Sequence, residues 1–254
     1  TVEIFGKDLF LERNSILEGV GAIVETPAFF EYMTAYENLF YLTRLSCRIE
    51  KSKIMEALDT VGLDASGRKT VGAFSYGMKQ RLGIANALLP ENKLIFLDEP
   101  TNGLDPHGIL GVRKLIKRLC SERGITFFIS SHLLSEVEQV CDYVTIIDRG
   151  EKVCEAAVSE LVGRQSRIQI KTPDADRISA FFTENRIEVY DVRRQAGNSV
   201  FLVKGAEESI PELNRKLVAA GISIVRIGKH NYTLEEIFVE FTGKNKADSA
   251  SDRF

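Results

Sequence analysis

One stretch of this chain decides its fold: Leu94-Ile95-Phe96-Leu97-Asp98-Glu99-Pro100-Thr101-Asn102-Gly103-Leu104-Asp105. Its first four residues form an apolar run, which is typical of a strand buried on both faces of a parallel sheet. Asp98 and Glu99 follow at the carboxyl end, where ligands bind in open α/β sheets. The first carboxylate can hold Mg²⁺ while the second orients or deprotonates an attacking water, although an ordinary solvated strand end would show the same pattern. The stretch therefore predicts an α/β fold and one candidate site.

A candidate anion site precedes this strand. In the segment Phe74-Ser75-Tyr76-Gly77-Met78-Lys79-Gln80-Arg81, Ser75 occupies the N-cap position of a predicted helix. The hydroxyl group and the unpaired backbone N–H groups of a helix N-terminus present partial positive charge, and Gly77 lets a phosphate approach the backbone. The same pattern predicts the start of an ordinary core helix, and the two interpretations are compatible.

A second apolar run, Ile125 to Ile129, follows the strand and ends at Ser130-Ser131-His132. An amphipathic helical pattern separates the two runs, so we expect a strand, a crossover helix and a parallel, buried strand. Parallel strands end at the same edge of a sheet, which predicts that His132 lies near Asp98 and Glu99. A lone histidine at a strand end is more often structural than catalytic, so its role depends on this context.

The order and spacing of these motifs resemble those of an ATP-binding-cassette (ABC) ATPase. The matching segments are the signature motif at Phe74 to Arg81, the Walker B motif at Leu94 to Glu99, the D-loop at Leu104-Asp105 and the switch histidine at His132. The signature departs from the family pattern, because Tyr76 replaces a glycine and Met78 replaces a glutamine. The resemblance implies a P-loop NTPase-like α/β domain with a helical signature subdomain, which hydrolyses ATP with Mg²⁺ at a dimer interface.

The resemblance also assigns roles to individual residues. It implies that Asp98 binds the metal ion and that Glu99 and His132 are catalytic. The residues that it assigns to cofactor binding are Ser75, Gly77, Asp105 and Glu25. Glu25 stands where the family usually has a glutamine that senses the γ-phosphate and the metal. A carboxylate there could still bind Mg²⁺ but would repel an unshielded phosphate, and a loop acid without a role is the alternative.

The segment that follows, from Pro27 to Leu39, resembles the ATP-binding subunits of bacitracin and lantibiotic exporters. The resemblance implies an exporter with a separate transmembrane permease. The aromatic residues of the segment either belong to the core of the helical subdomain or form an apolar groove for a coupling helix of the permease. Helical spacing favours core positions for Leu39, Leu42 and Leu45. The groove candidates are Phe29, Phe30 and Tyr32.

The phosphate-binding loop of the family, G-x-x-x-x-G-K-[ST], occurs nowhere in the 254 residues. In the family, the β-rich segment that here begins at Thr1 follows that loop. We therefore expect an N-terminally truncated sequence whose P-loop is encoded upstream of Thr1, and a 254-residue chain that is inactive by itself.

Two domains and a tail are predicted. Residues 1–162 correspond to the ABC ATPase domain, with its helical subdomain at about 28–90. Over 166–242 the apolar pattern predicts a β-α-β-β-α-β order and a trailing helix, which resembles a ferredoxin-like domain. The polar residues 243–254 are expected to be disordered.

Composition and charge limit the function. The formal net charge is −3 and the pI is near 5.8, so we expect no nucleic-acid partner, which would need clustered Lys and Arg. No signal peptide is recognisable and no apolar run approaches about 18 residues, which predicts a cytoplasmic protein. The expected location is the inner face of the membrane, where the permease would hold it.

The predicted function is therefore the ATP-hydrolysing subunit of an ABC exporter, paired with a second ATP-binding subunit in a homodimer. Two alternatives stay open. One is a soluble ABC ATPase that is not linked to transport. The other is a catalytically silent fragment that acts only as an interaction module.

Overall fold

The computed structural model describes residues 1–44, 49–63, 68–163, 167–195, 197–230, 232–239 and 241. The chain folds as two compact units, Thr1–Glu136 and Val137–Phe254, and each contains a sheet of its own. The predicted limits of the ATPase domain, 1–162, of its helical subdomain, about 28–90, and of the ferredoxin-like domain, 166–242, stay predictions. The predicted disordered tail, 243–254, lies outside the described residues.

The first unit combines a short hairpin, a parallel sheet and helices. Its elements are β1 (Glu3–Ile4), β2 (Lys7–Asp8), α1 (Arg13–Leu17), β3 (Val20–Ile23), α2 (Ala35–Arg44), α3 (Lys51–Thr60), α4 (Tyr76–Ala87), β4 (Leu94–Asp98), α5 (Pro106–Arg123) and β5 (Thr126–Ser130). The boundary between the units falls within α6 (Leu134–Val140).

Local sequence sets where these helices begin and end. Thr34 and Glu37 form a capping box at the start of α2: the backbone N–H of Thr34 donates to the Glu37 carboxylate over 2.8 Å and lowers the pKa of that carboxyl group. Asp105 caps α5, which starts with Pro106, and Gly124 ends that helix in a left-handed conformation with φ of 63°. The loop that carries Glu99 and Asp105 is therefore anchored at its helical end.

The parallel sheet has the strand order β3-β4-β5, so the predicted strand, crossover helix and parallel strand are present. Leu97 pairs with Ile23 on one side and with Ile129 on the other. This register brings the carboxyl ends of the three strands to one edge of the sheet.

The prediction that both apolar strands are buried on two faces is wrong. In β4, Ile95 and Leu97 are buried, but Phe96 is only half-buried. In β5, Phe128 is 62% exposed and packs against Phe96, with 5.3 Å between the ring centroids. An apolar run indicates a strand, but the burial of each face depends on the layers packed against it, which the run does not encode.

Helix α4 lies directly against β3. A Cβ atom added at Gly21 would lie 2.2 Å from the carbonyl oxygen of Ala87, and one added at Gly83 would lie 3.2 Å from Cδ1 of Ile23. The Ala87 carbonyl also accepts a hydrogen bond from the buried Asn92 amide over 2.8 Å. Two glycines thus allow the helix of the signature segment to approach the strand beside it.

The second unit contains a hairpin and a four-stranded antiparallel sheet. Its elements are β6 (Tyr143–Asp148), β7 (Glu151–Ala157), α7 (Val158–Gly163), β8 (Arg167–Thr172), α8 (Ala175–Glu184), β9 (Val189–Gln195), β10 (Asn198–Lys204), α9 (Ile210–Ala219), β11 (Arg226–His230) and a final helical segment, 234–239. The strand order β11-β8-β10-β9, with β-α-β-β-α-β connectivity, confirms the ferredoxin-like architecture. Ile170, Phe182 and Phe201 lie in its apolar core.

The aromatic segment before α2 is largely exposed. Phe30 is 47% and Tyr32 74% exposed, with 6.0 Å between their ring centroids, and Phe29 is half-buried. Leu39 is buried as predicted and Leu42 is half-buried, whereas Leu45 lies outside the described residues. The permease groove stays a prediction.

None of the helices in the described ranges combines the length and apolar character that crossing a membrane requires.

Candidate active site

The carboxyl ends of β4 and β5 hold the first part of the candidate site. Asp98 pairs in register with Ser130, and the Ser130 hydroxyl donates a hydrogen bond to the Asp98 carboxylate. The backbone carbonyl of Ser130 accepts a hydrogen bond from the Glu99 N–H over 3.1 Å. One serine therefore sets the orientation of Asp98 and the backbone position of Glu99.

Glu99 and His132 interact through two contacts. Oε2 of Glu99 lies 2.9 Å from Nδ1 of His132, and the backbone N–H of His132 donates to Oε1 over 3.1 Å. Both carboxylate oxygens are held, so the acid has one orientation. The Glu99 side chain is 27% and the His132 side chain 62% exposed, which leaves both accessible to water and substrate. The predicted proximity of His132 to Glu99 is present, and their catalytic roles stay predictions.

Two of the predicted acids have an unusual backbone conformation. Glu99 has φ of 46° and Glu25 has φ of 51°, both in the left-handed region. For residues other than glycine this region costs about 1–3 kcal/mol and is found where the surrounding structure overdetermines the backbone, often at functional sites. Glu25 is exposed and follows β3, the neighbour of β4, so it lies at the same edge of the sheet as Asp98.

The N-terminus of α4 carries the predicted anion-binding residues. Ser75 caps the helix as predicted: its Oγ accepts the Met78 N–H over 3.3 Å. Accepting this bond leaves the hydroxyl proton available to donate to an anion. A Cβ atom added at Gly77 would lie 3.6 Å from Cδ2 of Leu104, so the signature segment adjoins the loop between Glu99 and α5.

Asp105 has a structural role at the end of that loop. Its Oδ1 accepts a hydrogen bond from the Gly108 N–H over 2.7 Å and so caps α5. Capping of α5 is sufficient to explain an aspartate at position 105, whether or not its side chain also contacts a nucleotide. The cofactor-binding role of Asp105 stays a prediction.

The oxygen ligands at the sheet edge suit magnesium. In the described ranges, no three His, Cys, Asp or Glu side chains converge as a complete metal site. Magnesium does not need such a cage, because protein sites commonly supply one or two carboxylates and leave the other positions to phosphate and water. Asp98, oriented by Ser130, meets that requirement.

Sequence analysis missed two residues that take part in this arrangement. Ser130 could have been found, because aligning two parallel strands that end together places it opposite Asp98. Thr26, whose Oγ1 lies 3.1 Å from Oη of Tyr76, could not, because the two residues are 50 positions apart and no short motif links them.

Comparisons with known proteins point in one direction. Residues 1–102 match the protein family described as ABC transporter. The bacitracin transport ATP-binding protein BcrA of Bacillus licheniformis is 40% identical over 244 residues, which cover 95% of this chain and 79% of that protein. The lantibiotic transport ATP-binding protein SrtF of Streptococcus pyogenes is 44% identical over 139 residues, covering 55% of this chain and 60% of that protein. The solved structure of cbiO1 from Clostridium perfringens, part of the ABC transporter complex cbiONQ, has a TM-score of 0.58 at 26% identity and covers 63% of this chain and 67% of that chain.

Proposed function

Because this chain belongs to the ABC transporter family, we propose that it is the ATP-hydrolysing subunit of an exporter. The observation that carries the proposal is the Glu99 carboxylate, held by His132 beside Asp98 at the carboxyl end of a parallel strand. Two relatives are named for the transport of bacitracin and of lantibiotics, which supports a role in transport. Export as the direction is what the resemblance of the sequence to exporter subunits implies.

Glu99 acts in this proposal as the general base. With the ring proton on Nδ1, His132 donates to Oε2 of Glu99, and its backbone N–H donates to Oε1, so two donors of one residue orient the carboxylate. The carboxylate then takes a proton from the attacking water through a remaining lone pair, while His132 keeps the acid oriented. This arrangement supports orientation of the Glu99 carboxylate as the role of His132.

The residues at the sheet edge fit Mg-ATP. The bound metal and nucleotide supply the electrophilic phosphorus and neutralise the charge that develops on its oxygens. Asp98 would hold Mg²⁺, with Glu25 as a second oxygen ligand from the adjoining strand. Ser75, Gly77 and Asp105 would meet the nucleotide of a second subunit, so that a homodimer completes two sites.

A transmembrane permease is the proposed partner, and it would hold this subunit at the cytoplasmic face of the membrane. The exposed rings of Phe30 and Tyr32 support this, because adjacent exposed aromatic residues are typical of an interaction surface. The permease would place a coupling helix against them.

The test is phosphate release from ATP by the full-length gene product, alone and reconstituted with a multi-span membrane protein identified among the products of neighbouring genes. We expect hydrolysis that requires Mg²⁺ and that changes in rate when the membrane protein is present. A soluble ATPase would hydrolyse ATP at the same rate with and without that protein. A silent interaction module would bind the membrane protein but release no phosphate, and either result would overturn the proposal.

Glu25 offers a more specific prediction. Glu25→Gln should leave ATP binding unchanged, because an amide oxygen can still face the metal and one negative charge near the phosphates is removed. Glu25→Ala should lower the apparent Mg²⁺ affinity about tenfold, the effect of losing one contact to a charged group. Titration of ATPase activity with Mg²⁺, together with a transport assay, measures both changes.

A matched control is Glu122→Ala, which removes an exposed acid near the far end of α5. It should change neither the Mg²⁺ titration nor transport. If Glu25→Ala behaves like this control in both assays, Glu25 is a loop acid without a role.

A further inference from the structure

Tyr76, where the signature departs from the family pattern, touches two loops of the candidate site. Its Oη lies 3.1 Å from Oγ1 of Thr26, the residue directly after Glu25. Its ring lies against Gly103, because a Cβ atom added there would be 3.5 Å from Cε1 and 3.7 Å from Cζ of Tyr76. A glycine, the usual family residue at this position, would make neither contact.

The loop that Tyr76 touches is internally tied to Glu99. The backbone N–H of Asn102 donates to the Glu99 carbonyl over 3.1 Å, and the N–H of Leu104 donates to the Thr101 carbonyl over 3.2 Å. Thr101 is buried, which fixes the middle of the loop. A short hydrogen-bonded turn therefore connects Gly103 to Glu99.

We propose that Tyr76 is a positioning residue that couples the loop of Glu25 to the loop of Glu99. The inference rests on the proposed function, because the coupling would align Glu25, the proposed metal ligand, with Glu99, the proposed general base. The contact with Gly103 needs only the ring, whereas the contact with Thr26 needs the hydroxyl group. Substitutions can therefore separate the two halves of the coupling.

The experiment compares Tyr76→Phe, Thr26→Val and the double variant in the full-length gene product. Each single variant removes one partner of the hydrogen bond at nearly constant volume. We expect the kcat for ATP hydrolysis to fall about three- to tenfold, the size of one net hydrogen bond, with KM for ATP unchanged. The double variant should be no slower than the slower single variant, because both remove the same interaction.

Two controls separate coupling from a general loss of structure. Thr26→Ser keeps the hydroxyl group and should retain the unmutated kcat. Tyr41→Phe removes an exposed tyrosine hydroxyl on α2 and should also have no effect. Additive losses in the double variant, or equal losses in Thr26→Ser and Thr26→Val, would contradict the coupling.

Amide hydrogen–deuterium exchange without nucleotide tests the coupling independently of hydrolysis. Thr26→Val should increase exchange over 99–105, although Thr26 is not part of that loop, and Thr26→Ser should not. Unchanged exchange there in Thr26→Val overturns the inference. If the unmutated protein releases no phosphate, the proposed function fails, while the exchange result still decides the coupling.

Discussion

Glu99→Gln, introduced into the full-length gene product with its P-loop, is expected to reduce the rate of ATP hydrolysis by about 10²–10⁴-fold, the range for loss of a general base, without weakening ATP binding. Glutamine matches the shape of glutamate, so the backbone N–H of His132 keeps an acceptor. The amide nitrogen would then face Nδ1 and require the ring tautomer with its proton on Nε2, so the variant loses the base while a hydrogen bond to His132 can persist. Asp98 and its serine contact are unaffected.

Binding and turnover must be measured separately to test this result. Calorimetry with Mg-ATP should give unchanged affinity, and phosphate release should be nearly abolished. Because the variant no longer converts bound ATP to ADP and phosphate, light scattering should show a dimer that persists in the presence of ATP. The matched control is Glu122→Gln, an exposed acid of α5, which should hydrolyse ATP at the unmutated rate.

A double variant tests whether Glu99 and His132 act together. If they act as a unit, adding His132→Ala to Glu99→Gln should slow hydrolysis little further, because residues of one catalytic unit are strongly non-additive. Multiplicative losses would show that His132 acts apart from Glu99. A Glu99→Gln variant that hydrolyses ATP at the unmutated rate would show that Glu99 is not the base.

Local patterns and parallel-strand geometry account for the part of the site that sequence analysis predicted. The cap at Ser75 depends on residues within one helical turn, so a short motif encodes it. The meeting of Glu99 with His132 depends only on two parallel strands ending at one edge. Both predictions required only residue types and their spacing, and neither depended on how distant side chains pack.

Contacts between distant segments could not be predicted in this way. Tyr76 appeared in the sequence only as a departure from a pattern, and its contacts with Thr26 and Gly103 depend on how two loops are placed in space. The exposure of Phe128 likewise depends on which layers cover the sheet, and apolar periodicity is the same for a covered and an uncovered face. The roles proposed for Ser75 and Gly77 would require a second subunit, so they would belong to an assembly rather than to one chain.

Gly21→Ala is expected to lower the free energy of unfolding by about 3 kcal/mol, the upper end of the usual cost of overpacking. The added methyl group would lie 2.2 Å from the Ala87 carbonyl oxygen and 2.9 Å from Nδ2 of Asn92. Neither neighbour can yield easily, since one is backbone at the end of α4 and the other is a buried amide bonded to that carbonyl. Strand β3 and helix α4 must therefore separate.

The matched control is Gly111→Ala, on an exposed face of α5 where nothing lies within 4 Å of the added Cβ atom. Since alanine is the better helix former, this change should stabilise the protein by up to about 1 kcal/mol. Urea unfolding followed by far-ultraviolet circular dichroism measures both variants. ATP hydrolysis should also fall in Gly21→Ala, because displacing α4 moves Ser75 and Gly77 from the position in which they would meet the nucleotide of a second subunit. A Gly21→Ala variant as stable as the unmutated protein would show that α4 is not held against β3 by this close approach.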